Sequence, residues 1–117
     1  MIAAQLYTVR DLLKEPSQLT AVLSQLRGIG YQAVEVAGLG PKTVDRFDEA
    51  LRKSGLVACA AHVSLERLKE DLQKVIRECT SWGCEYVVVP ALPEDVREGT
   101  PQHDCECRVE PGSYLLR

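Results

Sequence analysis

Several things are missing from this sequence, and each absence closes off a class of function. No apolar run approaches the roughly 20 residues that a membrane span needs, so no membrane partner is expected. The first residues also lack the basic-then-apolar pattern of a signal peptide. Lys and Arg form no cluster and the formal net charge is −3, which argues against a general nucleic-acid partner. The five cysteines, at 59, 79, 84, 105 and 107, contain no CxxC. There is no GxGxxG, no P-loop Lys-Ser/Thr and no Glu-x-x-His. Three of the cysteines fall in apolar or helical patterns, which suits reduced, partly buried thiols in a cytoplasm. What remains is the balance of one globular domain. Its 117 residues are 45% apolar and 26% charged, enough for one core and too few for two ordinary domains.

The most informative stretch runs from Gly28 to Gly40, GIGYQAVEVAGLG. Its middle, Ala33-Val34-Glu35-Val36-Ala37, is a short apolar run holding one carboxylate, with glycines on both sides. A helix is predicted to end before it and a loop to begin after it. Burying an unpaired carboxylate is costly, so Glu35 needs a partner, an exposed strand end or a raised pKa. A glutamate near the exit of a strand buried on both faces fits a parallel barrel, where functional groups gather at the C-terminal strand ends.

In chain order, Met1 to Thr8 is predicted as a strand, with Gln5, Tyr7, Arg10 and Asp11 as a polar group at its exit. Ser17 then caps a helix carrying Leu19, Val22, Leu23 and Leu26 on one face, and Gly28 and Gly30 stop it. After the strand over 32–37, Thr43 caps a second helix with Val44, Phe47, Ala50 and Leu51 as its buried stripe. Leu56 to Ala61 is again a continuous small-apolar run, leading to His62. Ser64 caps one longer helix with apolar positions 65, 68, 72, 75, 76 and 79, closed by Trp82-Gly83. Tyr86 to Val89 forms a fourth strand running into Pro90. Continuous apolar strands separated by amphipathic helices predict an α/β fold of four successive β-α units with parallel strands. From about residue 97 the periodicity stops. Residues 98–117 read as an irregular C-terminal tail that does not continue the repeat, as after a shifted frame or premature stop.

The opening AAQLYTVRD, the GYQAVEVAG strand, the third exit AAHVSLE and the fourth strand VVVPALP together resemble the xylose isomerase-like TIM-barrel superfamily. Within it they are most similar to sugar phosphate isomerase/epimerase proteins. The resemblance covers residues 1–97 and implies the N-terminal half of a (β/α)8 barrel, since such barrels have eight units in about 250 residues. Complete relatives are expected to use a divalent metal (Mn, Mg, Co or Zn) to polarise a sugar's oxygens while carboxylates move a proton on the adjacent carbon. The metal donors stand on the later strands, which have no counterpart here. The resemblance therefore implies a truncated chain with no metal ligands or cofactor of its own, inactive when isolated. A DNA-repair endonuclease branch of the same superfamily is disfavoured by the acidic net charge and by Pro90 where that branch has a histidine pattern.

Within that frame Glu35 and His62 are the candidate catalytic residues, and Tyr7, Glu35 and His62 the candidate substrate-binding wall. Glu35 either hydrogen-bonds a substrate hydroxyl and orients a base, or is a structural carboxylate paired with Arg10 or a loop amide. His62 either shuttles a proton at the pocket wall or is a hydrogen-bonded structural residue. Arg10 meets a phosphate or carboxylate, or else joins Asp11 in tying down the first loop. Gly38-Leu39-Gly40 reads as a loop, Cys59 and Cys79 as small core residues, and His103-x-Cys105-x-Cys107 fits no common zinc spacing. Two functions follow: a sugar phosphate isomerase/epimerase-like chain, or a non-catalytic half-barrel that self-associates as a homo-oligomer or binds a small-molecule sugar or polyol.

Overall fold

A computed structural model describes residues 1–94 and the two-residue strand at 114–115. Its sheet holds β1 (Ala3–Gln5), β2 (Ala33–Val36), β3 (Val57–His62), β4 (Tyr86–Val88) and β5 (Tyr114–Leu115), hydrogen-bonded in that sequential order. The first four strands are mutually parallel, and β5 pairs antiparallel with β4. Helices α1 (Leu19–Ile29), α2 (Pro41–Ser54), α3 (Leu65–Glu70) and α4 (Leu72–Trp82) fill the crossovers. Sequential order with right-handed crossovers carries every helix to one face of the sheet, the winding of half a barrel. The predicted α/β repeat of four β-α units is therefore the architecture found. Among the described residues no helix is long and apolar enough to cross a membrane. The predicted tail over 98–117 lies outside the described residues, apart from β5.

The core lies between that helical layer and one face of the sheet. Val34 and Val36 of β2, Ala58 and Ala61 of β3 and Val87 of β4 pack against Leu19, Leu23 and Leu26 of α1, Phe47 and Leu51 of α2, and Val75 and Cys79 of α4. Phe47 is fully buried and meets Trp82 edge to face, with ring centroids 5.1 Å apart and planes at 80°. The opposite face carries Ala3, Gln5, Ala33, Glu35, Val57, Ala60, His62, Tyr86 and Val88 by register, Ala33 being buried there. It is open, with Val57 52% and Tyr86 42% exposed.

Several local expectations are corrected. The first strand is only three residues long. Leu6–Leu13 turns into a 3-10 segment interrupted at Val9, because Leu6 and Leu13 bury themselves fully or nearly so beneath it. Ser17 caps nothing and lies in a 3-10 turn, Pro16–Gln18, that precedes α1. Helix α2 starts at Pro41 after Gly40, where proline's fixed φ and missing N–H suit a first helical position. That leaves Thr43 inside the first turn, buried, its hydroxyl donating to the Leu13 carbonyl at 3.4 Å. The long helix after Ser64 is two helices. Ser64 caps α3 as expected, accepting from the Arg67 amide at 3.3 Å. Asp71 then leaves helical geometry (φ −148°, ψ 65°) and caps α4 by accepting from the Lys74 amide at 3.0 Å. The break rotates Leu72 out of the buried stripe to 48% exposure, and the Arg67–Glu78 ion pair ties the two pieces together.

Candidate functional site

Register puts three polar residues side by side at the C-terminal strand ends. In the β1–β2 ladder Gln5 is directly opposite Glu35, and paired residues of parallel strands present their side chains to the same face. Gln5 Nε2 donates to Glu35 Oε2 at 3.2 Å. Glu35 Oε1 lies 2.6 Å from His62 Nε2. Both carboxylate oxygens are thus engaged, which is how an apolar strand accommodates a half-buried glutamate. The partner is neither Arg10 nor a loop amide but the other candidate residue. Gln5, named in the sequence only as one of a polar group, is the third member. The signal that could have found it is the shared strand-end position of residues 5 and 35 in a parallel repeat.

His62 reaches this face through an irregularity. Val34 pairs with Ala58 but Glu35 pairs with Ala60, so Cys59 is an extra residue in β3. Side chains alternate strictly along a strand, so uninterrupted pairing would give Cys59 the place opposite Glu35 and turn His62 toward the helices. The bulge resets the alternation. Ala60 and His62 take the Glu35 face, and Ala61 and Val63 remain buried in the core. The Cys59 thiol donates to the Val34 carbonyl at 3.4 Å, next to the register shift.

Tyr7 stands on the 3-10 segment beyond Gln5 and is half exposed. Its described contacts are to Arg10 and Gly38 rather than to the glutamate–histidine pair. The Arg10 guanidinium lies 4.3 Å over the Tyr7 ring and donates to the Tyr7 carbonyl at 3.0 Å. Arg10 and Asp11 both make local contacts, Asp11 pairing with Lys14 at 2.7 Å. Lys14 holds the Asp11 carboxyl below the usual carboxylate range, by hydrogen bond and then by charge. Gly38 adopts φ +73°, and a β-carbon there would meet Tyr7 Cδ2 at 2.9 Å. Gly38→Ala is therefore expected to cost about 1–3 kcal/mol from strained backbone and to displace the Tyr7 ring. Urea denaturation and the Tyr7 ring NMR signals check this. An unchanged midpoint with unmoved ring resonances would contradict the contact.

Chemically the arrangement is a carboxylate orienting an imidazole. With Nε2–H donating to Glu35, the neutral ring carries its lone pair on Nδ1, free to accept from a ligand. The side chains are 20% (His62) and 27% (Glu35) exposed, open to a small ligand. As metal donors these residues fall short. Glu35 and His62 are two ligands already bonded to each other, and the described residues contain no group of three or more His, Cys, Asp or Glu that could hold an ion. The residues described do not fit a divalent metal centre, so no step here runs through one. A scan against protein-family models finds no match to the chain, and a search of curated proteins finds none.

Proposed function

We propose that this chain is a half-barrel relative of sugar phosphate isomerases and epimerases, cytoplasmic, whose Gln5–Glu35–His62 cluster binds a sugar or polyol without turning it over. The observation that carries the reading is the 2.6 Å contact between Glu35 and His62 at the C-terminal rim of adjacent parallel strands. In barrels of this kind that rim is the place for chemistry. A carboxylate with oriented lone pairs accepts from sugar hydroxyls, and the imidazole can donate or accept beside it.

The test is a titration with a panel of ketoses and ketose phosphates, followed by amide NMR. Shifts are expected at residues 5–7, 35–38 and 62–64. Glu35→Gln, which keeps the shape and removes the charge, should weaken binding about tenfold or more, the size of one charge-assisted hydrogen bond. An epimerase assay with manganese, cobalt, magnesium or zinc added is expected to show no turnover. A panel that moves none of these amides would overturn the reading.

The exposed Val57 and Tyr86 on the open sheet face favour a second reading, in which two copies cover each other's faces. The far edge of β4 is already paired with β5, so such a dimer would meet face to face and not by strand addition at β4. A molar mass in solution equal to one chain at all concentrations would exclude it.

A further inference from the structure

We propose that Cys79 and Cys84 form a redox modification site, a dithiol at the end of α4 that hydroperoxides convert to a disulfide. The geometry comes from the way the helix stops. Gly83, at φ +74°, is the left-handed residue after the last helical turn. Its amide donates to the Thr80 carbonyl at 3.0 Å, and the Cys84 amide donates to the Cys79 carbonyl at 2.9 Å. Those two bonds define a Schellman termination, which frequently packs together the side chains at the positions of Cys79 and Cys84. With standard bond lengths, a 2.9 Å bond between the two backbones keeps the α-carbons within about 6.8 Å, the outer limit for a disulfide. Both residues are buried in the one core, at 1% and 7% exposure, and both are free thiols.

The two thiols are also chemically distinct. The hydrogen bond to Cys79, and burial after it, push the Cys84 thiol up, and the same bond favours the thiolate of Cys79. In the proposed step Cys79 is the attacking sulfur. Its thiolate takes one oxygen from a hydroperoxide such as H2O2, cleaving the O–O bond to give a sulfenic acid and hydroxide. The Cys84 thiol attacks that sulfur, the S–O bond breaks, and its proton together with the one restored from solvent leaves the oxygens as two waters. Two thiols lose two electrons and the peroxide gains them. The bridge would fasten the end of α4 to the residue leading into β4.

Peptide mapping tests this on the intact chain. Trypsin cleaves after Arg77 and Arg97, so Cys79 and Cys84 share the fragment 78–97, Cys59 lies in 54–67, and Cys105 and Cys107 in 98–108. With limiting H2O2 on the folded protein, fragment 78–97 is expected to become about 2 Da lighter before it gains oxygen. Cys84→Ser should stop the mass loss and leave a sulfenic acid on Cys79 that a dimedone probe captures. If fragment 78–97 stays reduced while 54–67 is oxidised, the proposal fails. It fails equally if 78–97 passes to sulfinic or sulfonic acid with no lighter product. Both readouts come from the native sequence, so they stand even if the serine variant does not fold.

Discussion

Phe47→Ala is expected to lower the unfolding free energy by about 3–5 kcal/mol, the range for emptying a fully buried aromatic site. The ring is the largest fully buried side chain in the core. Its edge-to-face contact with Trp82 joins α2 to α4, and such pairs add about 0.5–1.5 kcal/mol beyond area burial. A domain of this size is stable by only about 5–15 kcal/mol in total, so the variant approaches the limit of folding. Urea denaturation measures the effect as a fall in midpoint at unchanged slope. Phe47→Leu, which keeps most of the volume, should lose much less. A loss below about 1 kcal/mol for the alanine variant would mean that α2 and α4 do not pack through this pair.

Deleting Cys59 should have an effect of similar size, and a more specific one. Removing the extra residue restores regular pairing, and the chain has two ways to absorb it. If the second half of β3 slides back, His62 turns toward the helices, where burying an imidazole without a partner costs about 2–7 kcal/mol. If the first half slides forward, Leu56 loses its buried position (5% exposed), worth about 1.5–3 kcal/mol. In either case we expect at least about 2 kcal/mol of destabilisation. In the first case the coupling between Glu35 and His62 also vanishes from a double-mutant cycle. The control is Cys59→Ala, which keeps the residue count, the bulge and the coupling, losing only the thiol's weak bond to Val34. If the deletion and the alanine variant behave alike, the bulge does not set the position of His62.

These two positions also mark what the sequence makes legible and what it does not. Phe47 can be read directly, because it falls on a helical stripe with Ala50 and Leu51, and all three are buried. The strands over 33–36, 57–62 and 86–88 are legible as apolar runs, and Gly55 and Gly83 as the left-handed stops before the last two. Glu35 and His62 stand out because each is a polar residue ending an apolar run. That they bond to each other was not legible. It depends on one extra residue in Leu56–Ala61, where every side chain is small and apolar and no glycine or proline marks a bulge. The Asp71 break is hidden for a related reason. The apolar spacing of Leu68, Leu72 and Val75 continues through it, so periodicity reports one helix where a side-chain cap starts a second. At the N-terminus Leu6 and Val9 prolong the apolar pattern beyond the short Ala3–Gln5 strand, while Leu6 is in fact the first anchor of a 3-10 turn.

The brevity of the outermost strands has a consequence for how this chain behaves when crowded. An unsatisfied row of amides and carbonyls invites indefinite growth, one molecule adding to the next into a ribbon. Here the free margin at β1 extends over three residues, and the other side of β4 is occupied by a two-residue strand running the opposite way. Among the described residues, neither border offers the long, flat template that fibrils require. Within the described sheet, the outermost strands are too short to be copied at length.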